Sequence, residues 1–337
     1  MQKIRFERAG VEITRTGFGA LPIQRISMED AGAILRRAYE GGITFFDTAR
    51  AYTDSEQKMG EALADVRDQI IIATKTGAKD AEGFWYDLET SLTNLKTDHI
   101  DIYQFHNPGF VPVPGGEDGL YDAALEAKRQ SKIRAIGITQ HTLALAKEAI
   151  ESGLYDTLQY PFNHLASEEE IQLVERCEQL GIGFIAMKAL SGGLVTDARA
   201  PFAFIRQYEN VVPIWGIQHM HELDQILSFE QDPPMLTDLQ EQIARDQKEL
   251  SGSFCRCCGY CLPCPVGIPI HNANRMKQLI TRAPSEPYLS EDWQQQMAKI
   301  EQCTRCGLCA QRCPYGLKPY ETLPGHLAFY RELLGSQ

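Results

Sequence analysis

The stretch "ITFFDTA", residues 43–49, is a short apolar run that closes on an acidic residue, Asp47. Similar runs recur along the chain, and longer segments with helix-like patterns separate them. Such runs are typical of strands that are buried on both faces of a parallel sheet. The eight runs are "TRTGFGAL" (14–21), "ITFFDTA" (43–49), "IIIATKTG" (70–77), "IDIYQFH" (100–106), "IRAIGIT" (133–139), "TLQYPFN" (157–163), "GFIAMKAL" (183–190) and "VVPIWGI" (211–217).

Eight strand–helix units predict an α/β fold of the (β/α)8 TIM-barrel type. A doubly wound open sheet is the alternative, and hydrophobic periodicity alone does not separate the two. No GxGxxG fingerprint follows the first run, which argues against the classical dinucleotide-binding form of the open sheet. The segment "GVEITRTG" (10–17) predicts a small hairpin that closes the bottom of the barrel.

Helix signals and prolines divide the chain into three parts. Ser167 and Glu170 have the spacing of a capping box at a helix start. Two prolines at 233–234 end the last barrel helix, and a further helical segment leads to Ser251-Gly252-Ser253. We therefore predict a barrel domain at 1–232, a helical linker at 233–252 and a small, mostly helical ferredoxin-like domain at 253–337.

Composition and charge restrict the compartment and the partners. The chain is 43% hydrophobic and 23% charged, and its first residues, "MQKIRFERAG", lack the apolar core of a signal peptide. No apolar run approaches the ~18 residues that cross a bilayer, so we expect a cytoplasmic protein without membrane contact. The net charge of −12 argues against nucleic acid as a partner. From Cys255 onward nine Lys/Arg outnumber six Asp/Glu, which suits anionic metal clusters or an ordinary solvated surface.

Two cysteine-rich runs lie in the last third of the chain. The run "CTRCGLCAQRCPYG" (303–316) has the bacterial ferredoxin spacing, in which three thiolates hold one cluster and the fourth ligates another. The run "CRCCGYCLPCPVG" (255–267) has the same form, with its last gap one residue shorter. Together they predict two 4Fe–4S clusters with crossed ligation. One set of ligands is Cys255, Cys258, Cys261 and Cys313, and the other is Cys264, Cys303, Cys306 and Cys309.

Zinc is the alternative occupant of these cysteines. Zinc sites usually pair two CxxC knuckles, whereas both runs here contain three or four cysteines at x2 spacing and end in Cys-Pro, which favours iron–sulfur. Cys257 fits neither set, and is either a bystander or a ligand in place of Cys255 or Cys258. Cys177, alone in a helical segment, is expected to lie in the core.

Four polar residues near strand ends form the second chemical signal. Asp47 ends the second strand, Tyr52 follows in its loop, Lys75 ends the third strand and His106 ends the fourth. In a (β/α)8 barrel the carboxyl ends of the strands meet at one face, so these side chains are expected to share a pocket.

The combination suits proton transfer to a carbonyl oxygen. An ordinary tyrosine has a pKa near 10, and a neighbouring ammonium favours its phenolate. Lys75, held by Asp47, would therefore tune Tyr52 as a general acid, and His106 would donate a hydrogen bond to the same oxygen. Each residue alone is more often structural, but all four at corresponding ends of consecutive strands favour a catalytic site.

Residues 3 to about 230 resemble the aldo-keto reductase family, most specifically in "GITFFDTARAYTDSE" (42–56) and "IIATKTG" (71–77). The resemblance implies that Asp47, Tyr52, Lys75 and His106 form the catalytic tetrad and that a nicotinamide cofactor delivers hydride. It also implies a cofactor groove, with the "MKALSGGL" loop (187–194) over the pyrophosphate. The implied groove residues are Gly19, Ala20, Thr139, Gln140, Gln159, Met187, Lys188, Leu190, Gly192, Gly193, Gly216 and Gln218. With the cysteine runs, the whole chain resembles the subgroup that carries a 4Fe–4S domain.

Three positions depart from the family pattern. Met187 stands where a tyrosine usually stacks under the nicotinamide, and Thr139-Gln140 replaces the common Ser-Asn pair. After the eighth run the chain lacks the Ser/Thr and Arg residues that hold a 2′-phosphate, and it places Glu222 there instead. A phosphate dianion facing a carboxylate is disfavoured, so NAD(P)(H) is expected with specificity for NADP in doubt and NAD as the alternative.

Three functions fit these patterns. The first is an oxidoreductase that interconverts a small-molecule carbonyl and alcohol with NAD(P)(H), its clusters linked to a ferredoxin-like or other redox partner. The second is a nicotinamide-independent enzyme in which cluster electrons reach the substrate while Tyr52 and Lys75 handle protons. The third is an electron-transfer protein with a vestigial barrel, which the intact tetrad disfavours.

Overall fold

The computed structural model describes residues 1–250, 255–256, 258–282 and 286–335 of the 337-residue chain. They form two compact units. One comprises Met1–Ala189 and Arg199–Leu239, and the other comprises Leu190–Ala198 and Gln240–Gln337. The loop Leu190–Ala198 therefore groups with the cysteine-rich unit, although it lies within the barrel segment of the sequence.

The first unit is a closed barrel of eight parallel strands. A short antiparallel hairpin of β1 (Lys3–Phe6) and β2 (Val11–Thr14) precedes it. The barrel strands are β3 (Gly17–Gly19), β4 (Phe45–Asp47), β5 (Ile71–Thr76), β6 (Ile100–His106), β7 (Ile133–Thr139), β8 (Thr157–Pro161), β9 (Gly183–Met187) and β10 (Val211–Gly216). Because β10 pairs with β3, the barrel prediction is confirmed and the open sheet is excluded.

A hairpin closes one end of the barrel as expected, but only its second strand, Val11–Thr14, lies within the predicted segment 10–17. Its side chains, including Phe6 and Ile13, belong to one buried cluster with interior residues such as Phe45 and Ile102. The Phe6 ring lies so close to Gly183 that a Cβ there would meet ring carbon at 2.3 Å. Only glycine fits at this start of β9, because the hairpin fills the space that a side chain would need.

Helices surround the barrel as the alternation predicts. The capping box at Ser167 is complete, since the Ser167 side chain accepts from the Glu170 N–H and the Glu170 carboxylate accepts from the Ser167 N–H. The last barrel helix ends before the two prolines at 233–234, as predicted. The helices are α1 (Met28–Glu40), α2 (Ser55–Leu63), α3 (Ala81–Leu95), α4 (Leu120–Arg129), α5 (Leu143–Glu151), α6 (Glu168–Gln179), α7 (Arg199–Ile205) and α8 (Met220–Gln231), with short 3-10 helices at Pro22–Arg25, Ala64–Gln69 and Leu236–Leu239.

The described part of the second unit is helical. Its helices are α9 (Gln240–Leu250), α10 (Ile270–Ala273), α11 (Met276–Arg282), α12 (Glu291–Ala298), α13 (Leu308–Gln311) and α14 (Pro319–Gly335), with 3-10 helices at Glu286–Leu289 and Lys299–Gln302. A separate hydrophobic core holds it together, in which Ile270, Met276, Met297 and Leu327 are buried.

None of the helices that the structure describes is both long enough and apolar enough to cross a bilayer.

Candidate active site and cysteine cavities

Three neighbouring strands position the predicted catalytic side chains. Asp47 is the last residue of β4, Lys75 lies next to the end of β5, and His106 ends β6. The strands are staggered in register, because Asp47 is opposite Ala73 and Lys75 is opposite Gln104. Tyr52 lies in the loop that leads from β4 into α2. The barrel thus brings all four residues to one edge.

Asp47 and Lys75 form a buried ion pair. The Lys75 Nζ donates to both carboxylate oxygens of Asp47, at 2.7 and 2.8 Å, and to the Thr48 carbonyl at 2.5 Å. The two side chains are only 2% and 1% exposed. Burial lowers the pKa of Lys75 and raises the pKa of Asp47, and the attraction between them opposes both shifts. Each charge is tolerated in the interior because the other is present.

Tyr52 and His106 lie beside this pair. The Lys75 Nζ is 5.4 Å from the centroid of the Tyr52 ring, and the Tyr52 and His106 rings meet edge-on with centroids 5.8 Å apart. Burial, with a smaller effect of the Lys75 charge, lowers the pKa of His106 to about 3. The imidazole is therefore neutral at physiological pH and keeps one N–H to donate.

A buried carboxylate behind the tetrad was not identified from the sequence. Glu56, at the start of α2, is 1% exposed. It accepts hydrogen bonds from the Thr74 hydroxyl at 2.7 Å and the Ser91 hydroxyl at 2.6 Å. Its other oxygen accepts from Arg50 Nη1 and from the Asn94 amide, both at 3.2 Å. Glu56 thereby fixes Arg50, which precedes Tyr52 by two positions in the same loop.

One sequence signal could have revealed this residue. Glu56 is the last letter of "FFDTARAYTDSE", at the start of a helix where a carboxylate is normally solvated and interacts with the helix dipole. Its burial depends on donors from β5 and α3, which are distant in sequence. Only the fold shows that they converge.

The expected carboxamide-binding side chains already form hydrogen bonds within the barrel unit. Thr139 Oγ1 accepts from the Asn107 N–H at 2.8 Å, and Gln140 Nε2 donates to the Pro108 carbonyl at 3.1 Å. The Gln140 Oε1 atom is buried and has no hydrogen-bond partner among the described residues. An unfilled acceptor of this kind fits a ligand amide, which supplies N–H donors.

Gln159 faces the interior next to the tetrad. Its Oε1 accepts from the Gln104 amide at 2.9 Å, and the same Gln104 amide lies 3.4 Å from Asp47 Oδ2. The Gln159 and Gln104 side chains also help to hold the pKa of Asp47 down, against the dominant effect of burial. Gln159, which is expected to lie near the nicotinamide carboxamide, is therefore connected through Gln104 to the Asp47–Lys75 ion pair.

Three further groove positions lie in the barrel wall. A Cβ on Gly19 would lie 3.1 Å from the Trp215 carbonyl, so the backbone of β3 packs closely on β10. The Ala20 N–H donates to the Asp47 carbonyl at 2.8 Å. Met187 is 9% exposed and belongs to the interior cluster of the barrel.

The end of β9 and the loop that follows it belong to different units. The Lys188 carbonyl accepts from the Asn163 amide at 2.9 Å within the barrel unit. Leu190, Gly192 and Gly193 belong to the second unit. The structure thus assigns the groove residues expected from the resemblance to two different units.

In the loop after β10, a carboxylate of the chain itself accepts the available backbone hydrogen bonds. A carboxylate oxygen of Glu222 accepts from the backbone N–H groups of Gln218 and His219, at 2.7 and 2.9 Å. These are the donors that a helix N-terminus would offer to a phosphate. Gly216, at the end of β10, is exposed, and a Cβ there would approach Pro22 at 3.3 Å. The Glu222 carboxylate therefore occupies these donors within the chain itself.

Four cysteines line the first of two cavities in the second unit. Cys255, Cys258, Cys261 and Cys313 line this cavity together. Burial, followed by the neighbouring thiolates, raises the pKa of Cys261 to about 12. Such a thiol binds metal only as its thiolate, so a cationic metal centre would have to offset this shift.

The second cavity has a similar lining. Cys264, Cys303, Cys306 and Cys309 line it, and Cys261 contributes to its wall as well. The first cavity thus receives three cysteines from the first run and one from the second, and the second cavity receives three from the second run and two from the first. Within the described ranges, no three His, Cys, Asp or Glu side chains converge as they do around a single metal ion. Cysteines spread around a cavity fit the corners of a cubane cluster.

The remaining cysteines lie elsewhere. Cys177 is fully buried in α6, as predicted for a core residue, and burial raises the pKa of its thiol to about 12. Cys257, whose role the sequence left open, lies outside the described residues.

The sequence profile described as "Aldo/keto reductase family" matches residues 15–207, more than half of the chain. The chain belongs to the aldo/keto reductase family. Members of this family act on small-molecule carbonyl compounds, typically with a nicotinamide cofactor.

Curated relatives of this aldo/keto reductase come from plants and bacteria. L-galactose dehydrogenase of Arabidopsis thaliana is 30% identical over 212 residues, covering 57% of this chain and 66% of the relative. Aldo-keto reductase YhdN of Bacillus subtilis is 31% identical over 214 residues, covering 56% and 61%. The chain thus spans about two thirds or less of the length of these relatives.

Solved structures support the fold. The holo form of an aldo-keto reductase from Bacillus halodurans superposes with a TM-score of 0.64 at 20% identity, covering 73% of this chain and 96% of that one. An aldo-keto reductase from Pseudomonas aeruginosa gives 0.62 at 23% identity, covering 68% and 95%.

A second profile matches the region that these barrels lack. Residues 254–318 match the family described as "4Fe-4S dicluster domain". The chain is therefore an aldo/keto reductase with a C-terminal iron–sulfur domain, and the zinc alternative is not supported.

Proposed function

We propose that the protein interconverts a carbonyl and an alcohol, with Tyr52 as general acid and base. The observation that carries this proposal is the buried Lys75–Asp47 pair beside the Tyr52 ring, with Nζ 5.4 Å from the ring centroid. An ammonium held in the interior stabilises a phenolate, so Tyr52 can give up its proton more readily than an exposed tyrosine.

In the reducing direction, the Tyr52 hydroxyl donates its proton to the carbonyl oxygen as hydride reaches the carbon. Lys75 stabilises the phenolate that remains, and Asp47 keeps Lys75 charged. Neutral His106 donates a hydrogen bond that orients the same oxygen. In the oxidising direction the phenolate accepts the alcohol proton.

A nicotinamide cofactor, when bound, supplies or accepts the hydride. We propose that Thr139, Gln140 and Gln159 hold its carboxamide, which the buried acceptor of Gln140 supports. Glu222 disfavours a 2′-phosphate, so we propose NAD(H) rather than NADP(H). A test is calorimetric titration of the holoprotein with NADH and NADPH. We expect NADH to bind at least tenfold more tightly than NADPH, and equal affinities would contradict the role of Glu222.

We propose two 4Fe–4S clusters with crossed ligation in the second unit. The two cysteine-lined cavities support this assignment, because each is lined by three cysteines of one run together with at least one of the other. The clusters would exchange single electrons with a ferredoxin-like or other redox partner.

We also propose the boundaries 1–232, 233–252 and 253–337 for barrel, linker and iron–sulfur domain. We propose a cytoplasmic location as well, where thiolate ligands stay reduced.

The decisive test of the tetrad is Tyr52→Phe. We expect it to abolish carbonyl reduction across a panel of aldehydes and ketones that the wild-type protein reduces, while the visible absorbance of the clusters is unchanged. Tyr86→Phe is the matched control, because Tyr86 is 72% exposed and should keep full turnover. Full activity of Tyr52→Phe would exclude the tyrosine mechanism.

A second function is favoured by one specific observation. The Glu222 carboxylate accepts a hydrogen bond from a backbone N–H group after β10, so that donor is already used within the chain. The site therefore departs from the usual nicotinamide groove there. Cluster electrons would then reach the substrate one at a time, with Tyr52 and Lys75 handling protons. Anaerobic titration with NADH, followed by visible absorbance and by calorimetry, separates the two. Binding of NADH supports the first function, and absence of both binding and bleaching supports the second.

A further inference from the structure

One cysteine of the second cavity reaches the protein surface. Of the cysteines within the described ranges, only Cys306 is exposed, whereas those of the first cavity are half-buried or buried. Its neighbours Thr304 and Arg305 are exposed as well. Electron transfer between proteins slows steeply as two redox centres move apart. A cluster in the second cavity is therefore the better placed of the two to exchange electrons with another protein.

The two cysteine-rich segments are basic, although the chain as a whole is acidic. Residues 255–285 and 303–320 contain no Asp or Glu, while the whole chain has a net charge of −12. The cations of these segments are Arg256, Arg275, Lys277, Arg282, Arg305, Arg312 and Lys318. An anionic partner is therefore favoured at these segments and disfavoured over the chain as a whole.

Two of these arginines flank the cavity that contains Cys306. Arg305 lies between Thr304 and Cys306, which both line the cavity. Arg312 follows α13, and its Nη1 donates to the carbonyl of Pro263, another lining residue, at 3.3 Å. Both arginines are exposed, and neither lines the cavity itself. They therefore present their charge to solvent rather than to the cysteines.

Neither of these two arginines is used in an ion pair. Arg331 of the same unit pairs with Glu301 at 2.8 Å. By contrast, Arg305 and Arg312 have no acidic partner in the part of the chain that the structure describes. Their charges are available to the carboxylates of another protein, and such charges at the rim of an interface mainly accelerate association.

We propose that Arg305 and Arg312 form a docking face for an acidic one-electron carrier protein, which exchanges electrons with the cluster of the second cavity. One electron passes between the redox centre of the carrier and this cluster, so that one is oxidised as the other is reduced, and no bond or proton moves. This docking face depends on the proposed pair of clusters. It determines which of them meets the partner and which charge the partner carries.

The test is stopped-flow electron transfer from the reduced holoprotein to two oxidised carriers of opposite charge. Rubredoxin is the acidic carrier and cytochrome c the basic one, and the absorbance of each carrier reports its reduction. We expect the double variant Arg305→Gln/Arg312→Gln to lower the bimolecular rate constant for rubredoxin by about 10-fold at low ionic strength and to raise that for cytochrome c. The difference for rubredoxin should disappear at about 1 M salt, where the Debye length is about 3 Å.

The opposite signs distinguish docking from other effects of the substitutions. Removal of positive charge near a cluster lowers its reduction potential, which would speed donation to both carriers. Damage to the cluster would slow donation to both. A change of the same sign with both carriers would therefore overturn the docking face.

Two single variants complete the experiment. The Arg305 side chain has no hydrogen bond or ion pair among the described residues, so Arg305→Gln should fold even where the double variant does not, with an effect of about 3-fold. Arg245→Gln makes the same charge change at an exposed position of α9, outside both cysteine-rich segments, and should leave the rubredoxin rate constant unchanged.

Iron analysis separates the docking face from the proposed clusters. Unchanged rubredoxin rate constants in variants with full iron content would overturn the docking face and leave the clusters intact. A wild-type protein that holds no iron after anaerobic cluster reconstitution would overturn the clusters and the docking face together.

Discussion

The charge state of His106 follows from where β6 ends. Its ring lies beside Tyr52 and near the Lys75 ammonium. A charged imidazole is disfavoured by both burial and the lysine, whereas a neutral one is a good donor. The site therefore combines an ion pair, a tyrosine and a neutral hydrogen-bond donor.

His106 should stay neutral on acidification. Because burial lowers its pKa to about 3, well below the ordinary value near 6.5, the unfolded chain binds more protons at this residue between those pH values. The free energy of unfolding should therefore fall as pH drops from 6.5 towards 3, and the residue should have no effect on the slope above that window. The His106 ring signals can be assigned in NMR spectra by their absence from His106→Gln. Their chemical shifts should not change between pH 7 and 5. A midpoint near 6.5 would refute the lowered pKa.

Glu56 should support both stability and turnover. Glu56→Gln replaces one of the two accepting carboxylate oxygens with an NH2 group that cannot accept, so donors such as the Asn94 amide lose their partner. We expect the free energy of unfolding to fall by about 1–3 kcal/mol, and turnover to fall because the Tyr52 loop loosens. Denaturant unfolding and steady-state rates measure the two effects.

Glu61→Gln is the control for Glu56. The Glu61 side chain is 55% exposed and pairs with Lys96 at the surface, so its loss should change stability by less than about 0.5 kcal/mol. Equal effects of the two variants would mean that the buried network has no special role.

At the scale of elements, the contact between α2 and α3 depends on one glycine. A Cβ on Gly60 of α2 would lie 2.1 Å from the Asn94 carbonyl and 2.9 Å from the Leu95 carbonyl carbon. Because both neighbours are backbone, neither can move without displacing α3. This close approach places Ser91 and Asn94 of α3 within reach of Glu56.

Gly60→Ala should therefore destabilise the barrel despite the higher helix propensity of alanine. We expect a loss of about 1–3 kcal/mol from overpacking, measured by denaturant unfolding. Gly32→Ala in α1 is the matched control, because nothing lies within 4 Å of its Cβ position. That variant should gain about 0.5–1 kcal/mol, and a stabilising Gly60→Ala would contradict the close contact.

At the scale of the whole molecule, the iron content tests the crossed ligation. Cys306→Ala removes one ligand of the second cavity, so we expect iron to fall from about eight to about four atoms per chain, with the cluster at Cys255, Cys258, Cys261 and Cys313 retained. Cys177→Ala, in the barrel core, should leave the iron content unchanged. Iron analysis and electron paramagnetic resonance of the reduced protein give the answer. An unchanged iron content in Cys306→Ala would refute the ligand sets.

Local sequence determined the strands, the fold class and the candidate chemistry. Apolar runs predict buried parallel strands because both faces of each strand must be covered, and strands that end in Asp47, Lys75 and His106 must present them at one edge of a barrel. The cysteine spacing predicts iron–sulfur chemistry since short gaps direct several thiolates to one centre. These inferences succeed because the cause lies within a few residues of the effect.

Tertiary structure alone decided which groups are buried together. Glu56 is a helix residue by sequence, and it becomes an interior anion because β5 and α3 bring donors to it. The loop Leu190–Ala198 follows a barrel strand in the chain, yet it groups with the second unit, where Arg275 binds Gly192. Burial and pairing of charges depend on atoms far apart in sequence, and no local pattern encodes which of them will meet.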